Sequence, residues 1–168
     1  MKTIKTFVEK YKEFALATEQ KTGIKAVFTL AQAGLEGGWG KSAPGNMFFG
    51  VKATKNTPKE KRQLLRTTEI LSSPNVAFPE IISVTQRPDG RYRYVVKDWF
   101  VKYDSPEESF TDHANFFFRN KRYAKALAVK HNPYKFAEEI AKAGYATAPN
   151  YAESLKKVIT RIEKLMNE

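Results

Sequence analysis

Glu36 is the side chain of this sequence best placed to do chemistry. It follows a mostly apolar stretch containing Val27, Phe28, Leu30, Ala31 and Leu35, and precedes Gly37-Gly38-Trp39-Gly40. If that stretch is a helix stopped by the glycine pair, the carboxyl faces the negative end of the helix dipole, which favours its protonated form. Leu35 and Trp39 beside it would withdraw water and push the pKa the same way. A carboxylic acid kept protonated near neutral pH is what proton donation to a glycosidic oxygen requires. The plain alternative is a surface glutamate ahead of a helix stop.

Other chemistries find little support. Two histidines, His113 and His131, lack metal-ligand spacing, and no His-Glu-x-x-His is present. With no Cys there is no disulfide framework, zinc ribbon or thiol nucleophile. Gly38-Trp39-Gly40 with Ala43 follows a helix rather than a strand, against a dinucleotide fingerprint. Gly40-Lys41-Ser42-Ala43-Pro44 lacks the second glycine of a nucleophile elbow. No P-loop or aromatic-basic RNA signature occurs. Neither a metal nor a cofactor is expected.

The elements that must carry Glu36 are legible from apolar spacing. Ile4, Phe7, Val8, Tyr11, Phe14 and Ala15 share one face of a helix predicted over about Thr3–Glu19, ending at Lys21-Thr22-Gly23. A second helix starts near Lys25, and Gly40 to Asn56 is loop. Leu64–Leu71 and Glu80–Gln86 read as strands, and Pro88-Asp89-Gly90 turns the chain into Arg91–Val96, with Trp99–Tyr103 extended. Ser105-Pro106-Glu107-Glu108 opens a helix with a capping hydroxyl, a first-turn proline and acids at the positive end. Phe116, Phe117 and Phe118 cannot all face one side of it, so at least one is expected in the core. Asn132-Pro133 opens another helix, closed by Gly144, and Thr147-Ala148-Pro149 opens the last. The expected class is α+β, mainly helical, as one domain over residues 1–168 with a β insert at about 60–103.

The chain has 168 residues and a net charge of +11, from 29 Lys+Arg against 18 Asp+Glu. The charge calls for an anionic partner or serves only solubility. No block of five like charges suggests a phosphate-gripping tail, and no apolar run approaches a membrane span. Glu9, Lys10, Lys12 and Glu13 interrupt the first segment, so it does not read as a signal peptide.

Ala31-Gln32-Ala33-Gly34-Leu35-Glu36-Gly37-Gly38-Trp39-Gly40-Lys41-Ser42, followed by Asn46-Met47-Phe48-Phe49-Gly50-Val51-Lys52, closely resembles family 73 of the glycoside hydrolases. Further matches follow in order: Tyr103-Asp104-Ser105, Ser109-Phe110-Thr111-Asp112-His113, Asn120-Lys121-Arg122-Tyr123, and Ala143-Gly144-Tyr145-Ala146-Thr147-Ala148-Pro149-Asn150-Tyr151-Ala152. The resemblance spans about residues 5–165. It implies a lysozyme-like fold, in which a helical lobe and a small antiparallel β lobe flank a substrate groove. It also implies cleavage of the β-1,4 bond between N-acetylglucosamine and N-acetylmuramic acid in bacterial peptidoglycan. Carried over by position, Glu36 is the general acid. Glu69, in Thr67-Thr68-Glu69, is the second carboxylate, either the base for an inverting water or a support for the N-acetyl group. Tyr145 is the functional tyrosine.

Gly37, Ala148 and the doubled Phe48-Phe49 depart from the family pattern, and the longer β insert leaves Glu80 as the alternative second acid. Trp39, Asn46, Phe48, Phe49, Asn120, Tyr123 and Tyr151 are candidate substrate contacts. The expected partner is peptidoglycan, with no nucleic acid and no membrane span, and a monomer is expected. Action on the wall, in the periplasm or outside the cell, without a visible leader fits a phage lysin released from the cytoplasm. A lytic transglycosylase with the same fold and a non-catalytic wall- or nucleic-acid-binding module are the alternative functions.

Overall fold

Apolar spacing makes the first segment a helix, α1 (Lys2–Thr22), which buries Ile4, Phe7, Val8 and Ala15. The structure, a computed structural model, describes residues 2–168; Met1, inside the expected domain, lies outside the described residues. The chain divides into two compact units. One runs up to Phe49 and resumes over Asp104–Glu168, and the other is Gly50–Tyr103.

In the helical unit, α2 (Ala26–Glu36) is the central element, packed by α1 and by the later helices α5 (Pro133–Lys142) and α6 (Tyr151–Met166). It can be central because Phe28, Leu30, Ala31 and Ala33 are almost wholly buried. Phe28 packs edge-on against Phe136 and Phe117, with ring centroids 4.6 and 6.2 Å away. Burying one such side chain is worth roughly 1.5–3 kcal/mol. Phe117 lies on α3 (Pro106–Arg119), and a one-turn helix, α4 (Ala124–Leu127), precedes α5. The three successive phenylalanines diverge as helical geometry requires: Phe117 is core, Phe116 packs against it, and Phe118 is exposed.

The helix starts follow their local chemistry. Ser105 Oγ accepts the Glu108 backbone N–H at 3.2 Å, and the Glu108 carboxylate accepts the Asp104 N–H at 3.0 Å. Asn132 Oδ1 accepts from the N–H groups of Tyr134 and Lys135 at the head of α5.

The second unit holds an antiparallel sheet of β1 (Arg62–Leu71), β2 (Glu80–Gln86) and β3 (Tyr92–Val101), in the order β1-β3-β2. β3 is one continuous strand where the sequence suggested two pieces. It pairs with β1 along its whole length, from Arg62 opposite Val101 to Leu71 opposite Tyr92. Gly90, at φ 86°, makes the turn between β2 and β3. A bulge interrupts the β2–β3 register between Ile81 and Ser83, and Ile81, Ile82 and Val84 are exposed. Tyr94 anchors the sheet from within: it is fully buried, and its hydroxyl donates to the Ser73 carbonyl at 2.5 Å.

Candidate active site

Glu36 is the last residue of α2, and the chain just beyond it is tightly specified. Gly38, Trp39 and Gly40 all have left-handed φ, at 60°, 61° and 80°. The Trp39 N–H bonds the Gly34 carbonyl at 2.9 Å, the six-to-one closure of a Schellman stop. The Trp39 ring folds back over Gly34 so closely that a Cβ there would lie 2.3 Å from it. Phe7 of α1 meets the same ring edge-on at 5.5 Å. The unusual backbone at Trp39 is therefore held by packing on both sides.

Two tyrosines converge on the Glu36 carboxyl. Tyr145, just after the left-handed Gly144, donates its hydroxyl to Glu36 Oε1 at 2.8 Å. Tyr151, the first residue of α6, stands close enough to the carboxyl to influence its titration. The two rings lie 5.7 Å apart. Burial of the carboxyl raises the pKa of Glu36, while the two phenol hydroxyls pull it down; the net direction is up. The residue still has an exposed outer surface, so the proton is kept where a ligand can reach it. Both phenols are pushed up, chiefly by burial and then by the neighbouring carboxyl, and stay protonated donors. Leu35, expected to shield the acid, is itself exposed, and Trp39 lies over Gly34 and Phe7.

Behind this pair runs a chain of side chains. Gln32, fully buried one turn before Glu36, donates its amide N–H to the Tyr151 hydroxyl at 2.9 Å. Its Oε1 lies 2.6 Å from His113 Nε2. With the amide in this orientation the oxygen accepts, which matches the Nε2–H form of His113. The imidazole stacks on Phe49 with centroids 3.6 Å apart and is parallel to the Phe116 ring at 6.0 Å. This enclosure pushes its pKa down to about 3 and keeps it neutral.

In the sheet unit, Glu69 of β1 is bound by Lys52 at 2.7 Å, and the same ammonium reaches Asp98 of β3 at 3.2 Å. Glu80 sits on β2, half exposed, paired with Lys97 at 3.3 Å.

Several expected substrate contacts need correction. Phe48 and Phe49 are only 4% and 5% exposed: Phe48 packs among Phe7, Tyr11 and Phe110, and Phe49 on His113. They are core, which removes them as sugar platforms. Tyr123 is fully buried beside Phe116, Phe117 and Tyr145, so its ring offers no surface either. Asn120 uses its amide to close α3 on the Phe116 carbonyl at 2.8 Å. Asn46 ends a short turn with a left-handed φ of 57°. Trp39 retains a partly open face, bordering a pocket of about 430 Å³ with Thr3, Thr6, Phe7, Lys10, Tyr11 and Gly40. Glu36, Tyr145 and Tyr151 are thus brought together. Gln32, and His113 beyond a motif match, were missed by sequence reasoning. The available signal was a glutamine in an apolar helix four residues before Glu36, on the same face.

Residues 12–164 match the model of the Glucosaminidase family, described as mannosyl-glycoprotein endo-beta-N-acetylglucosaminidase. The peptidoglycan hydrolase FlgJ of Vibrio cholerae is 31% identical over 166 residues, covering 95% of this chain and 44% of that protein. The chain spans about half or less of the length of the curated relatives it matches. Among solved structures, the glycoside hydrolase domain of Salmonella typhimurium FlgJ superposes with a TM-score of 0.70 at 26% identity, covering 98% of this chain and 91% of that one. A peptidoglycan hydrolase mutant from Sphingomonas sp. A1 gives 0.68 at 29% identity, covering 97% and 98%.

Proposed function

Since this chain belongs to the Glucosaminidase family, we propose that it is a glycoside hydrolase of bacterial peptidoglycan that cleaves the β-1,4 bond between N-acetylglucosamine and N-acetylmuramic acid. The observation that carries this reading is the Glu36 carboxyl, held by Tyr145 beside Tyr151 at the end of α2 with its pKa raised. Protonated Glu36 gives its proton to the leaving glycosidic oxygen. The carboxylate that remains keeps the Tyr145 hydroxyl as a donor, which limits the cost of the charge.

Glu69 is the proposed second carboxylate, serving as base for a water or as support for the acetamido group. Its carboxylate is held by the Lys52 ammonium, which also reaches Asp98. Tyr145 binds the acid directly and is proposed to meet the substrate as well. The wall carries peptide carboxylates, to which a chain of net charge +11 is attracted. Among the described residues no helix is long and apolar enough to cross a membrane, and the proposed place of action is the cell wall, in the periplasm or outside the cell.

The test is mass spectrometry of the sugar ends released from purified peptidoglycan by the wild type and by Glu36→Gln. New reducing N-acetylglucosamine ends from the wild type alone are expected. Anhydro-muramic ends would make the chain a transglycosylase, and undiminished release by Glu36→Gln would remove Glu36 as the acid.

A further inference from the structure

The sheet of β1, β2 and β3 is covered by its own chain on one face. The antiparallel register puts Thr67, Glu69, Tyr94 and Asp98 on that side. There the segment between β1 and β2 folds over the strands: the Tyr94 hydroxyl reaches the Ser73 carbonyl, and Phe78 packs on the Tyr94 ring at 5.5 Å. The opposite face presents Leu64, Arg66, Arg93 and Trp99, and all four are exposed.

This open face joins an apolar platform to charge. Leu64 and Trp99 stand directly opposite each other on β1 and β3, 40% and 41% exposed. The backbone under Trp99 is fixed: its carbonyl accepts the Ala53 N–H at 3.0 Å, and the Val101 N–H bonds the Val51 carbonyl at 2.8 Å. Residues 50–103 hold 11 Lys+Arg against 5 Asp+Glu, so about a third of the chain carries +6 of its +11. Lys97 is held by Glu80 at 3.3 Å, but Arg66 and Arg93 form no ion pair among the described residues. At about 3.3 Å per residue, Arg66 lies about 7 Å along the sheet from Trp99, and Arg93 about 20 Å from it.

An indole can stack on the C–H face of a sugar ring, and a guanidinium takes a carboxylate through two parallel N–H bonds. A platform with guanidiniums at two distances therefore fits a glycan that bears carboxylates on separate branches. Arg66 and Arg93, about 13 Å apart along the strands, are set far wider than the charges of duplex nucleic acid, at about one per 1.7 Å.

We propose that this face is a second peptidoglycan-binding surface, in which Trp99 and Leu64 seat a sugar ring of a wall strand and Arg66 and Arg93 take carboxylates of its peptide branches. It lies across the sheet from Glu69, so it holds wall without joining the reaction. The choice of occupant rests on the reading of the chain as a peptidoglycan hydrolase. Its use is retention, since a second contact on an insoluble polymer raises the local concentration of bonds to cut.

The experiment is co-sedimentation with purified insoluble peptidoglycan, with Glu36→Gln as the parent so that the wall stays whole. Adding Trp99→Ala is expected to weaken binding about tenfold, the scale of one lost aromatic anchor. Trp99→Tyr keeps a platform and should lose little. Arg66→Gln with Arg93→Gln should also weaken binding. Amidating the wall carboxyls should bring the parent down to the level of that double variant and leave the double variant unchanged. With Glu36 restored, Trp99→Ala should cut short soluble peptidoglycan fragments at the wild-type rate and intact wall several-fold more slowly, a split that a damaged fold would not give.

Wall binding undiminished by Trp99→Ala would overturn the proposal. Equal losses of rate on soluble and insoluble wall would overturn it too, by assigning Trp99 to the fold or the active site. Trp99-dependent binding to duplex DNA or anionic vesicles, with none to peptidoglycan, would give the face to another partner. Trp99-dependent binding to a wall that the wild type does not cut would defeat the hydrolase reading and leave the surface standing.

Discussion

Gly34→Ala puts the support of the Glu36 turn under direct strain. The added Cβ would stand 2.3, 2.5 and 2.8 Å from three Trp39 ring atoms, where carbon atoms settle at about 3.5 Å. The ring must withdraw by about 1 Å or more. Phe7 packs against it, and its backbone N–H is bonded to Gly34 itself, so the move is resisted twice. Overpacking of this kind costs about 1–3 kcal/mol, against which alanine recovers roughly 1 kcal/mol of helix propensity. With contacts this short the cost prevails, and a net loss of about 2 kcal/mol is expected, toward the upper end of that range.

For a chain of this size that loss lowers Tm by roughly 4–8 °C. Urea and thermal unfolding measure it. Because the strain falls two residues from Glu36, kcat should also drop on the order of ten- to a hundredfold. Adding Trp39→Leu should return part of the stability, since the clash needs both partners. A Gly34→Ala protein as stable as the wild type, at unchanged kcat, would refute the claim that Trp39 packing sets the end of α2.

Four further outcomes are expected. Glu69→Gln should lower the hydrolysis rate far more than Glu80→Gln, measured on purified peptidoglycan; the reverse order would move the second carboxylate to β2. Burial raises the Glu36 pKa above its ordinary 4.5, so its contribution to stability is full below that value and is lost as pH rises through the raised one. Glu36→Gln should accordingly be more stable than the wild type at neutral pH and lose that advantage in acid, as unfolding curves across pH will show. His113 works in the opposite sense: its folded pKa of about 3 against an ordinary 6.5 predicts a stability loss as pH falls through that interval, absent in His113→Phe. Tyr123→Phe removes a buried hydroxyl that has no hydrogen-bond partner among the described residues, and should raise stability by about 1 kcal/mol in denaturant titration.

Periodicity and end signals carried most of the fold. The α1 stripe, the Ser105 and Asn132 caps and the Asp89-Gly90 turn act locally, and all four lie where their sequences put them. The direction of the Glu36 pKa was also legible, as was its main cause, burial, but the residues that surround the carboxyl were not. Leu35 and Trp39 are neighbours in sequence, whereas the groups that touch the carboxyl come from more than a hundred positions away. Phe48, Phe49 and Tyr123 show the same limit from the other side. An aromatic residue in a motif can face a ligand or the core, and only tertiary packing decides. Tyr145 was legible through a family string, but its bond to Glu36 and the Gln32–His113 pair behind Tyr151 required three-dimensional placement.

β2 lies at one edge of the sheet, with Ile81, Ile82 and Val84 open to solvent. A straight apolar edge would be a template for a strand of another molecule. The bulge between Ile81 and Ser83 breaks the spacing such a strand would need, and Glu80 and Lys97 place charge beside it. Shelf life at high protein concentration therefore depends on one irregular residue. Deleting Ile82 would straighten the edge and speed fibril formation, whereas Ile81→Lys would lengthen the time the protein stays in solution.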